Sequence, residues 1–204
     1  MTDYFAFLNE PRRPWLDPDS LKGKFLELSA EIHPDRVHDA PEAEKQRAHT
    51  RYLELNAAYN CLKEPKSRLR HLLELEGTSL HGIEQMPSGS MELVLETGQL
   101  CRAVDSFLAE RARVTSPLLK VEMFEVAHGW TDKLNAAQRT LNERQEEIAA
   151  ELRQMNHAWE AAPVDDSARA SSLPLARLDR VYRDVSYCWR CVSQIQERIA
   201  QLSF

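Results

Sequence analysis

Ile32-His33-Pro34-Asp35-Arg36 stands between two apolar rows that both step at helical intervals. To its left run Leu21, Phe25, Leu28 and Ile32; to its right run Ala48, Tyr52, Leu55, Tyr59 and Leu62. Spacings of three, four and seven residues put each row on one face of a helix. Pro34 disfavours the α region for the residue before it, so the first helix is expected to end at His33, where the chain turns. An imidazole, a rigid ring and a carboxylate are thereby set at the tip of a helical hairpin. The tripeptide alone would suit any surface loop with a turn-favouring Pro-Asp. The paired helices around it are what argue for more.

The neighbouring segments close the hairpin. Tyr4, Phe5 and Leu8 form a short apolar helix ended by Pro11 and Pro14, able to cover the open side. Asp17-Pro18 reads as the N-cap and first residue of the next helix. On that helix Lys22 and Lys24 lie off the buried face. After a polar stretch at 36–41, the second long helix is expected over Glu42–Lys63. Pro65 opens a further short helix to Leu75, stopped by Gly77. Residues 78–90, with Gly82, Pro87 and Gly89, read as a linker.

Beyond the linker the apolar stripes narrow. Leu93, Leu100 and Phe107 step by seven, with Val104 alongside, in a helix over 91–113. Leu134, Leu141, Ile148 and Met155 do the same in a long helix over 118–159. Residues 161–172, with Pro163 and several small polar residues, read as a loop. Leu175–Leu202 then places Leu178, Val185, Val192 and Ile199 in one row, with Tyr182, Ile195 and Leu202 beside it. Stripes this narrow must pair with one another. They predict a three-helix bundle with crossing angles near about +20°. No strand pattern appears, and the 6 glycines in 204 residues fit an all-α chain.

Composition excludes several functions. Net charge is −6, with 12 Lys+Arg against 14 Asp+Glu in residues 1–77 and 14 against 18 in the remainder. Such a balance does not suit a phosphate backbone, so no nucleic-acid partner is expected. No apolar run reaches membrane-spanning length, and Met1-Thr2-Asp3-Tyr4 lacks the basic region of a signal peptide, so a cytoplasmic protein without a membrane partner is expected.

Cys188-Trp189-Arg190-Cys191 has redox or metal spacing, but it lies inside a helix rather than at the N-terminus that would activate a thiol. Cys188 falls on the apolar side, while Cys191 falls in phase with Arg177, Asp184 and Arg198, towards solvent. No second Cys or His pair completes a zinc set, so neither metal nor cofactor is expected. The seven His residues are scattered, and Glu143, Glu146, Glu147 and Glu151 read as a solvated helix face. No phosphate loop or nucleophile elbow appears. His33 has only Asp35, in its own turn, as a carboxylate partner. Catalysis is therefore not expected, and recognition is. Asp35 can accept charge-assisted hydrogen bonds from a partner's Arg or Lys.

The apolar helix, His33-Pro34-Asp35, the charged loop and the helix ending Leu55-Asn56-Ala57-Ala58-Tyr59-Asn60-Cys61-Leu62 together resemble a J-domain. Asp3-Tyr4-Phe5, Leu16-Asp17, and Pro65-x-x-Arg68 followed by Leu72-Leu73-x-Leu75-x-Gly77 are similar to the HscB-type iron–sulfur co-chaperones. The likeness is specific over 3–77 and architectural over 90–204. It implies a J-domain at 1–77, a linker at 78–90 and a client-binding helical bundle at 91–204. The implied partners are a DnaK-type ATPase chaperone, docked by His33, Pro34, Asp35, Arg36, Lys22 and Lys24, and an iron–sulfur scaffold of the IscU class.

For the scaffold, the resemblance points to Met91, Leu95, Glu96 and Gln99, the last standing where the family tends to have an acid. Helical geometry independently turns Met91 and Leu95 away from the row Leu93, Thr97, Leu100, Val104 and Phe107. Such residues either form a binding patch or pack beneath the linker or the J-domain. The chain departs from the family at Ala30-Glu31-Ile32, where basic residues are usual, and at Leu69 and His71, which replace a small residue and an aromatic. Its 161–172 loop is also long. A J-protein with another client and a dimerising coiled-coil adaptor are the alternative readings.

Overall fold

The computed structural model describes residues 2–37, 39–77, 88–163 and 166–203. Among them every regular element is helical: α1 Tyr4–Phe7, α2 Pro18–Glu31, a 3-10 turn Pro34–Val37, α3 Glu42–Lys63, α4 Pro65–Leu75, α5 Ser88–Arg111, α6 Pro117–Glu160, α7 Asp166–Ser172 and α8 Leu175–Leu202. The all-α expectation holds.

Local chemistry sets the ends of these helices. Asp3 caps α1, its Oδ1 accepting from the amides of Phe5 and Ala6. Asp17 caps α2 by accepting the Ser20 amide at 2.8 Å, with Pro18 at the first helical position. α2 stops with the Ile32 amide on the Leu28 carbonyl, two residues before Pro34. α4 stops where Gly77 takes φ 75°, the left-handed region that a glycine enters freely.

The chain forms two compact units. The first joins Met1–His81 to Glu151–Tyr182. In it α3 is packed by α1, α2, α4 and the 3-10 turn. Phe25 stacks on Tyr59 with centroids 4.2 Å apart, and His33 meets Tyr52, so α2 and α3 run antiparallel. Phe5, Leu8, Leu16, Leu21, Leu55, Leu62, Leu69 and Leu72 are fully buried. Each such side chain contributes about 1.5–3 kcal/mol. Arg68 is buried with them, donating to the carbonyls of Pro14 at 2.9 Å and Leu62 at 2.6 Å. Burial lowers its pKa to about 10.

The second unit joins Gly82–Ala150 to Arg183–Phe204. Its core gathers Cys101, Val104 and Phe107 from α5, Ala127, Leu134 and Leu141 from α6, and Cys188, Cys191, Ile195 and Leu202 from α8.

Two local expectations change, and residues 151–182 group with the N-terminal segment in the first compact unit. Polar contacts tie these residues to that segment. Asn156 accepts the Trp15 amide at 2.9 Å and donates to the Trp15 carbonyl at 3.0 Å. Trp159 and Arg169 both bond to Glu76. Residues 88–90 are the first turn of α5 rather than linker; residues 78–87 of the expected linker lie outside the described residues. The expected loop at 161–172 contains α7.

Candidate functional site

The turn at the α2–α3 tip is held from three sides. The Asp35 amide donates to His33 Nδ1 at 3.3 Å, and the Asp35 carboxylate lies 3.4 Å from the same nitrogen. The Arg36 amide donates to the His33 carbonyl at 3.0 Å, and the Arg36 guanidinium to the Ala30 carbonyl at 3.1 Å. The His33 ring stands edge-on to Tyr52 with centroids 5.3 Å apart. With Nδ1 accepting the Asp35 amide, Nε2 is the ring nitrogen left to donate. The side chain of His33 is 43% exposed and that of Asp35 is 90% exposed. A donor and a carboxylate are thus fixed side by side and open to a partner.

The expected cations fare differently. Arg36 braces the turn. Lys22 is exposed on α2, roughly 16 Å along the helix from His33 at the usual rise. Lys24 is committed elsewhere: its Nζ lies 2.8 Å from Glu10 Oε1 and 2.9 Å from the Asn9 carbonyl. Glu10 is buried, so Lys24 neutralises an internal charge. Sequence reasoning missed Glu10 because a single acid in a Pro-rich segment has no periodicity to place it. It missed the contact of Tyr52 with His33 although Tyr52 had been put on the inward row.

On α5, Met91 is 46% and Leu95 56% exposed, and Glu96 and Gln99 are exposed with them. The opposite face buries Thr97, Cys101 and Val104. At about 100° per residue, Met91, Leu95 and Gln99 share one side of the helix and Glu96 lies at its edge.

The expectation for Cys191 is overturned. Cys191 is buried like Cys188, because α8 turns that side towards α5. Burial pushes the Cys188 thiol up to about 11 and raises those of Cys101 and Cys191 as well. These thiols are poor nucleophiles. Among the described residues, no group of three or more His, Cys, Asp or Glu is placed to hold a metal ion.

An antiparallel helical hairpin with His-Pro-Asp at its tip, backed by short helices before and after and followed by a helical second part, is an arrangement similar to that of J-domain proteins. The particular likeness is to HscB. Chaperone HscB from Vibrio cholerae matches with a TM-score of 0.58 at 21% identity, over 98% of this chain and 99% of that one. Human co-chaperone protein HscB matches with a TM-score of 0.65 at 17% identity, over 97% and 82%. In sequence, the Co-chaperone protein HscB homolog of Azoarcus sp. (strain BH72) is 33% identical over 103 residues, 50% of this chain. The match spans 58% of that relative's length. No protein-family model matches the chain. The chain is HscB-like in fold from end to end and in sequence over half its length.

Proposed function

We propose that this protein is a co-chaperone of the cytoplasm that stimulates a DnaK-type ATPase through the α2–α3 tip and delivers an iron–sulfur scaffold of the IscU class held by α5. In this reading the chaperone-docking part lies in residues 1–77 and the client-binding part in 91–204. The observation that carries it is the juxtaposition of His33 and Asp35 at an open, braced turn. Asp35 accepts charge-assisted hydrogen bonds from chaperone cations, and His33 donates from Nε2. Pro34 limits the entropy lost on docking. Lys22 adds a peripheral charge; Lys24 and Arg36 act by holding the fold. The tip makes and breaks no covalent bond. It favours the hydrolysing state of the chaperone only to the extent that it binds that state more tightly. The client lies across Met91, Leu95, Glu96 and Gln99, two apolar anchors with a polar margin.

The test is single-turnover ATP hydrolysis by the chaperone with His33→Gln and Asp35→Asn. Both variants should lose stimulation while thermal unfolding stays within about 0.5 kcal/mol of the parent, as for exposed positions generally. Full stimulation by either variant would refute the reading. A second reading, a self-associating adaptor, draws on the exposed Leu118, Val121 and Phe124. A monomer by sedimentation at all concentrations excludes it.

A further inference from the structure

Within the second unit, polar contacts join α5 and α8 at intervals of four to eight residues. Ser90 Oγ donates to Asp184 Oδ1 at 2.6 Å. The Thr97 hydroxyl stands beside the Cys191 thiol without a well-formed hydrogen bond of its own. Arg198 donates to Asp105 Oδ2 at 2.8 Å, and Arg111 to the Leu202 carbonyl at 2.9 Å. Residue numbers rise together on the two helices, so α5 and α8 run parallel in a single register. Ser90 and Asp184 are both buried. Asp184 Oδ2 also lies 3.4 Å from Nη2 of Arg144 on α6, so one carboxylate ties three helices together.

The first rung falls where it matters for the proposed client face. Ser90 opens the buried row Ser90, Thr97, Cys101 and Val104. Met91 follows it by about 100° of turn and points outward. Leu93 and Val94, beside the row, are only half-buried. Apolar contacts of that kind are non-directional and tolerate sliding, whereas a hydroxyl–carboxylate bond is satisfied in one register only. Helix ends fray unless tied.

We infer that Ser90 and Asp184 are positioning residues for the client face, holding the opening turn of α5 on α8 so that Met91 and Leu95 are presented in one fixed arrangement. This rests on the reading of Met91 and Leu95 as the client face. Binding of a purified IscU-class scaffold should be measured for Ser90→Ala, Ser90→Thr and the double variant Met91→Ala with Leu95→Ala, each alongside hydrogen exchange and chaperone stimulation without scaffold. Ser90→Ala should weaken scaffold binding about fivefold, within the span of indirect coupling, with amide protection lost in the first two turns of α5. Ser90→Thr, which keeps the donor, should bind as the parent does, and stimulation without scaffold should match the parent's in both Ser90 variants. If the double variant weakens binding while Ser90→Ala binds normally, the positioning role is overturned and the client face stands. If the double variant binds normally, the client face itself is wrong and the inference falls with it. Exchange that rises along all of α5 and α8 in Ser90→Ala would mark Ser90 as a general packing residue and overturn the inference too.

Discussion

His71 ties down the start of the chain as a neutral imidazole. It is buried, its Nε2 accepts the Tyr4 amide at 3.1 Å, and its ring lies 4.7 Å from that of Tyr4 and 5.9 Å from that of Phe5. Burial lowers its pKa, and Arg12 adds to this, while Asp3 and Glu74 oppose it. The unfolded chain, with an ordinary value near about 6.5, therefore takes the proton more readily than the folded one. Stability from this residue is complete above about pH 6.5 and is lost as pH falls through that value towards the folded pKa. Melting temperature should drop on acidification below that point, and His71→Phe should flatten this part of the profile. An NMR titration placing the His71 pKa at or above the ordinary value would show the cause to be elsewhere.

The buried thiols make a second residue-scale case. Cys188→Ser and Cys191→Ser should each lower stability by about 1–3 kcal/mol in urea unfolding, since each sets a hydroxyl in the core; a neutral Cys191→Ser would contradict its burial. Sequence periodicity had put Cys191 with Asp184 and Arg198 towards water. That row is polar, but it is the seam of α8 against α5, where polar side chains find polar partners. A polar seam and a solvated face look alike in a single sequence.

Helices whose ends carry a chemical stop were legible as elements. Asp17-Pro18 and Gly77 each bound a helix where the sequence placed the boundary, and α2 stops at Glu31, two residues short of the expected His33, because caps and φ restrictions are local. α7 was not legible, since its seven residues are held by Arg169 reaching a distant Glu76 and not by any local pattern. The start of α6 poses a different problem. Leu118, Val121 and Phe124 are exposed, and Ala127 is the first buried residue of the helix. Apolar residues there add surface without adding core. Phe124→Glu should therefore leave unfolding free energy within about 0.5 kcal/mol of the parent while reducing binding of a hydrophobic dye. A clear loss of stability would mean that Phe124 packs after all.

For the molecule as a whole, what sequence could not reveal is how the first unit recruits residues 151–182. Glu76, at the end of α4, is the junction. Its carboxylate side chain is 3% exposed, takes a bidentate contact from Arg169 at 3.0–3.2 Å, and accepts Trp159 Nε1 at 3.3 Å. Removing one partner from a buried ion pair strands the other, which costs about 3–5 kcal/mol, whereas removing both charges together can be nearly neutral. Arg169→Met alone should therefore destabilise the protein strongly. Glu76→Gln alone should be milder, since the amide still accepts from Trp159 and Arg169 can turn towards water. The combined variant should recover most of the loss seen in Arg169→Met, giving a coupling of about 3 kcal/mol in a double-mutant cycle. Urea unfolding of the four proteins measures it. Strict additivity would show that the pair contributes nothing as a pair, and that other contacts, such as that of Asn156 with Trp15, hold residues 151–182 in the first unit.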